Sequence, residues 1–365
     1  MKWIFSFVVS LHSLIHLLGF VKAFQFAEIN QLTQQISKPV GVLWLLAFLI
    51  LAISAIQFIL DKDIWWMAAF VGIILSQILI ILYWQDAKFG TIPNIIILLV
   101  AIIAFANWSF NRNVKNEITD LLSQIPIDEK EILTEDKIGS LPPIVQKWLR
   151  NSNAVGKEMI HTVRLKQKGK IKMKPEQDKW YEANAVQYFT FDNPAFIWKV
   201  KVDMMPLVYF TGRDMFKDGK GSMIIKILSL INVVNDSDNE KLNQGTLQRF
   251  LGEIIWFPTA AVSPYIKWEE VDSLTAKATM TYKGTTGSAL FYFNDKGDFV
   301  KFSAMRYMGT EEDSQLKEWI ITLNEYAVYG GIRIPVKGEA TWKLDDGDFT
   351  WYKLEVYDLE YNFRQ

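Results

Sequence analysis

The chain has 365 residues, with 39 Lys or Arg against 40 Asp or Glu, three His and no Cys. That balance excludes the basic surface a nucleic-acid binder needs, and without cysteine there is no disulfide, thiolate or Cys-zinc chemistry. The average of 50% hydrophobic residues joins two unlike halves: residues 1–110 carry only Lys2, Lys22, Lys38, Lys62 and Lys88 against Glu28, Asp61, Asp63 and Asp86.

Four apolar runs, residues 3–21, 40–60, 64–84 and 92–108, have the length of membrane helices, about 17–25 residues, and none contains Asp, Glu, Lys or Arg. Trp3, Trp44, Trp65, Trp66, Trp84 and Trp108 lie at or near their ends, where indole rings suit the membrane interface. The first run begins like a signal peptide but lacks a small-residue cleavage pattern, so a retained helix is expected. Lys2, Lys62, Arg112 and Lys115 fall on one side of the spans, against Lys22, Lys38 and Lys88 on the other. The positive-inside rule then favours the cytoplasmic side for both termini and the large domain. The expectation is a multi-pass protein of the bacterial cytoplasmic membrane, with the lipid bilayer as its first partner.

His12 and His16 stand four residues apart, on one face of the first helix. An intramembrane metal or haem site is one reading. Only His161 remains as a further histidine and no carboxylate lies inside a span. Hydrogen bonding between helices, to Ser54, Gln57, Ser76 or Gln77, is the expected role.

Residues 111–155 read as a helical connector. A periodic apolar face spans 114–125, followed by acidic Asp128, Glu129 and Glu131. Ser140, Leu141, Pro142 and Pro143 then open a helix with Ile144, Val145, Trp148 and Leu149 on one stripe. From about Glu158 the apolar period changes from near 3.6 to 2. Strands are expected at 180–191, 197–203, 207–214, 223–228, 276–282, 288–293, 299–305, 319–329, 334–343 and 350–361. Hairpin turns are expected at 294–297 and 345–348, and a bulge between Val356 and Tyr357. The first strand puts Arg164, Lys166, Lys168, Lys170 and Lys172 on one face, which reads as an edge strand protected by lysines or as a positive face for anionic headgroups. His161 shares the apolar face and is expected in the core.

Residues 245–258 form the clearest amphipathic helix of this half. Leu247, Phe250, Leu251, Ile254 and Phe257 share one face, Arg249, Glu253 and Trp256 the opposite one, and Pro258 supplies the stop. This helix is expected to cover the sheet. The fold class is therefore a four-helix membrane region (1–110), a helical connector (111–155) and an α+β, mainly antiparallel β domain with a covering helix (156–365).

Elimination narrows the chemistry. A Ser-His-Asp triad would have to use His161, a His-rich metal site lacks ligands, and the run from Asp218 to Ser222 lacks P-loop spacing and reads as a hairpin turn. No metal or other cofactor is expected. Carboxylates remain, with Glu253, Asp214, Glu325 and Glu339 beside Arg213, Arg249 and Arg306. Arg249 and Glu253 read as an acid/base with its electrostatic partner, an exposed i,i+4 ion pair, or a polar pair anchoring the helix to strands. Phe196, Trp198, Met204, Met205, Tyr209, Phe210, Met215 and Phe216 crowd the middle strands, as core packing or as the wall of an apolar cavity. Arg213, Arg249, Glu253, Trp256, Trp198 and Tyr209 are the candidate ligand-binding residues.

Leu141, Pro142, Pro143, Val145, Trp148 and Leu149, then Arg164 and Gly169, Pro194 and Trp198, and Arg213 and Asp214 occur in an ordered series. Gly219 and Met223, Leu247 through Pro258, Ile334 and Pro335, and Gly338 and Trp342 complete it. Over about residues 140–361 this series resembles a bacterial domain-of-unknown-function family, the one numbered 6544, and the membrane region lies outside the match. The resemblance implies a bacterial protein whose biochemical activity is not established. Residues 11–20 are similar to first helices of small bacterial membrane proteins. The leading expectation is a non-enzymatic, membrane-anchored β-rich module that binds a lipid or lipophilic small molecule. The alternatives are a carboxylate-dependent enzyme on a membrane-derived substrate and a membrane scaffold.

Overall fold

The structure is a computed structural model that describes residues 2–123 and 131–363. The chain divides into two compact units, Met1–Asn113 and Val114–Gln365.

The first unit is built from the helices α1 (Lys2–Ala23), α2 (Lys38–Ile59) and α3 (Trp65–Leu82), the short α4 (Trp84–Ala87), and the start of α5 (Thr91–Ser123). The stretches Lys2–Ala23, Lys38–Ile59, Trp65–Leu82 and Trp84–Ser123 are long and apolar enough to cross a membrane. Their outward residues, such as Ile4, Ile53, Ile74 and Leu99, are apolar and exposed, the reverse of a water-soluble bundle. Lys2 and Asp61 pair at 2.6 Å, which places the start of α1 and the α2–α3 turn at the same end.

The polar residues of these helices gather inside. His12 Nε2 meets Asn94 Oδ1 at 2.8 Å, and His16 Nε2 meets Ser76 Oγ at 2.8 Å. Asn94 Nδ2 donates to Ser76 Oγ and to Gln77 Oε1. Ser76 and Gln77 were among the expected neighbours of the histidine pair; Asn94, in the last of the long apolar helices, was not. Ser54 instead donates to the Trp65 carbonyl.

α5 runs unbroken from Thr91 to Ser123, so the span expected at 92–108 and the amphipathic stretch starting at 114 are one helix. Its last turns belong to the second unit. The end of the expected 114–125 stretch, and Asp128 and Glu129, lie outside the described residues. The chain continues with α6 (Glu135–Ile138) and α7 (Pro143–Asn151). Ile144, Val145, Trp148 and Leu149 of α7 are all buried and join the core of the β unit.

Among the described residues that unit has thirteen strands. β1 (Thr162–Ile171), β2 (Tyr181–Thr190), β3 (Ala195–Met205), β4 (Val208–Lys217), β5 (Lys220–Ile227) and β6 (Ile231–Ser237) precede the helix α8 (Glu240–Glu253). β7 (Ile266–Asp272), β8 (Thr275–Tyr282), β9 (Thr285–Phe293), β10 (Phe299–Tyr307), β11 (Leu316–Tyr329), β12 (Ile332–Leu344) and β13 (Gly347–Tyr361) follow it. They form one antiparallel sheet in the order β6-β5-β4-β3-β2-β1-β13-β12-β11-β10-β9-β8-β7. Two meanders are thus joined where the last strand pairs with the first. β6 and β7 were missing from the expected set; their sides are mostly exposed, so neither shows a strong apolar alternation.

This joint corrects the edge-strand reading of β1, which is central and paired on both sides. Its cations stand opposite carboxylates of β13 and β2: Lys166 meets Asp358 at 2.7 Å, Lys168 meets Glu355 at 3.3 Å and Lys170 meets Glu182 at 3.4 Å. A bulge on β13 falls between Tyr357 and Glu360, where they face Lys166 and Arg164. His161 is half-buried and bonded to Asp192 at 2.8 Å rather than enclosed in the core.

The sheet curls around α8, which packs against β4 and β5 on one side and β8, β9 and β10 on the other. A Cβ on Gly221 of β5 would stand 2.5 Å from Thr246 Oγ1, and one on Gly287 of β9 2.7 Å from Gln248 Cγ. Only glycine lets the helix lie this close to both. The β4–β5 and β8–β9 turns meet through the Asp218–Lys283 ion pair and a 2.7 Å bond from Thr285 to the Gly219 carbonyl. Asp218 and Gly219 both have positive φ, at 54° and 78°, the two-residue hairpin turn expected there.

The covering helix starts and ends five residues earlier than the expected 245–258. Asn239 caps it, accepting from Lys241 and Leu242 amides at 2.9 and 3.3 Å. The α-helix gives way to a 3-10 turn, Ile254–Trp256, before Pro258. Phe257 takes φ −140° and ψ 72°, because a residue before proline avoids the helical region.

Candidate functional site

The apolar face of α8 is fully committed to the core. Leu247, Phe250, Leu251, Ile254 and Phe257 are all at most 1% exposed, with Phe250 packed against Phe189, Phe216 and Phe257. The opposite face is not in solvent either. It looks into a cavity of about 580 Å³ between the helix and the sheet. The helix covers the sheet as expected, and because the sheet curls around it the helix also forms a wall of the cavity.

Alternating residues of several strands supply the remaining walls: Trp198, Val200 and Val202 of β3, Phe210 and Asp214 of β4, and Met223 and Ile225 of β5. Trp319, Ile321 and Leu323 of β11, Trp342 of β12, and Trp351 of β13 face them. Of the aromatic and methionine residues expected in the middle strands, Trp198 and Phe210 line the cavity. Phe196 and Phe216 are core at 0% exposure, and Met205 is 61% exposed. Tyr209 is not among the lining residues; its ring lies 4.9 Å from Lys201 Nζ.

A chain of polar side chains crosses this wall. Arg249 Nη1 donates to Asp214 Oδ2 at 2.6 Å and Arg249 Nε to Glu253 Oε1 at 2.9 Å. The guanidinium also stacks on Trp198, 4.7 Å from its ring centre. Gln187 Nε2 donates to Glu253 Oε2 at 2.8 Å, and Gln167 Nε2 to Gln187 Oε1 at 3.1 Å. Gln167 Oε1 accepts from Trp198 Nε1 at 2.9 Å and Tyr352 Oη at 3.0 Å. The network ties α8 to β4, β2, β1, β3 and β13.

The Arg249–Glu253 pair is therefore not an exposed ion pair. The side chains of Arg249, Glu253 and Asp214 are 12%, 7% and 4% exposed. Burial pushes the Glu253 carboxyl up, and Arg249 and Gln187 offset this only in part. Burial also opposes the charge of Arg249, but Glu253 and Asp214 outweigh it and hold the guanidinium protonated.

Trp256 lies in the 3-10 turn and lines the same cavity, its Nε1 donating to the Pro335 carbonyl at 3.1 Å. Arg213 and Asp214, neighbours along β4, both border the cavity but have different partners. Arg213 Nε pairs with Glu117 of α5 at 3.1 Å, and its Nη1 donates to the Ser222 carbonyl at 3.0 Å. Glu325 pairs with Lys337 and Glu339 with Lys353, away from the cavity lining. Among the described residues no group of three or more His, Cys, Asp or Glu is placed to hold a metal ion.

A family model matches residues 131–354. The chain belongs to the DUF6544 family, a family of unknown function. The DUF6544 region holds the whole network and nearly all of the sheet, and leaves the four apolar helices outside. No curated protein matches the chain. A solved structure, that of a LolA superfamily protein from Nitrosomonas europaea, is similar at 10% identity and a TM-score of 0.33, over 59% of this chain and 92% of that one.

Gln167 and Gln187 escaped the sequence reading, although a signal was present. Each is a polar residue in the apolar phase of its strand, after Val163 and Leu165 in one and Ala183 and Ala185 in the other. Both are at most 1% exposed, and a buried amide must find partners.

Proposed function

We propose that this chain is a membrane-anchored module that holds a lipid or other lipophilic molecule in the cavity between α8 and the sheet. One observation carries the reading: a volume of about 580 Å³ walled largely by Trp, Ile, Val and Phe. Pockets for small ligands span about 300–1,000 Å³ and are mostly apolar with a few placed polar groups. Water gains few hydrogen bonds along the Trp319, Ile321 and Val200 wall, so an apolar guest suits it better. The four apolar helices would hold the module at the bilayer, from which such a guest comes.

Native mass spectrometry of the full chain released from detergent tests this, comparing wild type with Val200→Trp/Ile321→Trp, which fills the cavity. Wild type is expected to retain a co-purified small molecule that the filled variant, folded by circular dichroism, has lost. Equal retention by both would place the bound molecules elsewhere and overturn the reading.

Carboxylate-dependent catalysis is the second reading, favoured by one atom. Asp214 Oδ1 is buried without a hydrogen-bond partner among the described residues, on a residue that lines the cavity. Glu253 suits that role less well, because both its oxygens are held by Arg249 and Gln187.

A further inference from the structure

Arg306 of β10 lines the same cavity and differs from every other arginine there. Arg213 has Glu117, and Arg249 has Asp214 and Glu253. Among the described residues Arg306 has neither a hydrogen-bond acceptor nor an ion-pair partner, only rings and a helix backbone beside it. Its guanidinium carbon lies 4.6 Å from the ring centre of Trp319 and 5.9 Å from that of Trp342. A Cβ on Gly245 would stand 2.8 Å from Arg306 Nε, so the missing side chain of Gly245 is what lets the cation lie along α8.

Stacking uses the face of a guanidinium and leaves its in-plane N–H donors unspent. Burial pushes the Arg306 pKa down, to about 10, with Asp214 and Glu253 opposing the shift and Arg249 adding to it; the side chain is still a cation at neutral pH. The nearby carboxylates do not bond it: Glu253 is held at both oxygens by Arg249 and Gln187, and Asp214 accepts from Arg249 at Oδ2 while its Oδ1 meets no donor among the described residues. A half-buried cation that lines an apolar cavity and finds no protein acceptor there keeps its donors for a guest, and an incoming anion can take them in two parallel, charge-assisted hydrogen bonds.

We infer that the guest of the cavity is an anionic amphiphile, whose carboxylate or phosphate is received by Arg306 between Trp319 and Gly245 while its apolar chain lies along the Val200–Ile321 wall. This rests on the cavity being a lipophilic site and adds the head group. Arg306 is then the residue that reads charge, and the Arg249 network is the frame that holds α8 in place.

The test uses the full chain in nanodiscs of neutral lipid and four soluble eight-carbon probes: octanoate, octyl phosphate, octan-1-ol and octylamine. Isothermal titration is expected to show the two anions binding at least tenfold tighter than the alcohol, with octylamine weakest. Octyl phosphate ahead of octanoate supports a lipid phosphate as the natural head group, and the reverse order supports a fatty-acid carboxylate. Arg306→Gln should bring the anions to the level of the alcohol and leave the alcohol unchanged, and Arg306→Lys should keep part of the preference. Because Arg306 bonds to no protein acceptor, Arg306→Gln should unfold no earlier than wild type without ligand, whereas a purely structural arginine would lower the midpoint. Equal binding of octanoate and octan-1-ol, unchanged in Arg306→Gln, would overturn the inference while leaving a lipophilic cavity. Binding of none of the four, with the protein folded, would overturn the cavity reading itself.

Discussion

Arg249 Nη1 donates to Asp214 Oδ2 at 2.6 Å, and this bond fastens α8 to a strand of the first meander from inside the curled sheet. Glu253 and Gln187 repeat the attachment one helical turn later. The polar face of α8 is thus bonded to the sheet at fixed points, and the apolar space beside those points stays open.

Breaking this network at one member leaves buried charge unpaired. Arg249→Met is expected to destabilise the β unit by about 3–5 kcal/mol. Replacing all three charges, Arg249→Met with Asp214→Leu and Glu253→Leu, should recover much of that loss, since buried ion pairs contribute little net stability over apolar packing. Denaturant unfolding of the detergent-solubilised chain checks both; a single variant as stable as wild type would show that the pair is not buried.

Asp298 accepts from Asn151 of α7 at 2.6 Å and from Arg333 of β12. Burial works to raise its carboxyl, but Arg333, Asn294 and Asn151 outweigh this and hold it below the ordinary 3.8. A carboxyl depressed on folding contributes stability above its unfolded value and loses it as pH falls through the folded value. Wild type is therefore expected to lose stability below pH 3.8 more steeply than Asp298→Asn. Thermal midpoints measured from pH 6 downward decide this, and parallel curves would contradict it.

In the helical unit, His12 and Asn94 meet across the bundle at 2.8 Å. A double-mutant cycle with His12→Ala and Asn94→Ala should give a coupling of about 0.6–2 kcal/mol, read from unfolding in detergent. Zero coupling would mean that the two side chains do not bond there.

Gly221 touches α8 where a Cβ would stand 2.5 Å from Thr246 Oγ1 and 2.8 Å from the Leu242 carbonyl. Gly221→Val should cost about 1–3 kcal/mol through overpacking, checked by the same unfolding experiment. A neutral outcome would show that helix and strand are not in contact.

Much of this fold was legible because its causes are local. The four long apolar helices follow from apolar length alone, and eleven strands of the β unit follow from period-2 alternation between turn residues. α7 could be read from its stripe of Ile144, Val145, Trp148 and Leu149. What escaped depends on contacts far apart in the chain. β1 looked like an edge because its lysines are unmatched locally; their carboxylates, Glu355 and Asp358, lie almost 200 residues away. Trp319, Trp342 and Trp351 reach the cavity only because β13 closes on β1. Arg249, Glu253 and Trp256 were expected on one side of a helix, but nothing in their spacing shows that a sheet has wrapped around that side.

The central claim is that the apolar space beside α8 holds a lipophilic guest. Photo-crosslinking of the full chain in vesicles with a fatty acid carrying a diazirine on its chain, followed by peptide mapping, tests it most directly. The account predicts adducts on cavity-lining residues such as Val200, Ile321 and Trp342, lost in Val200→Trp/Ile321→Trp. Adducts confined to the four apolar helices, unchanged in that variant, would contradict it.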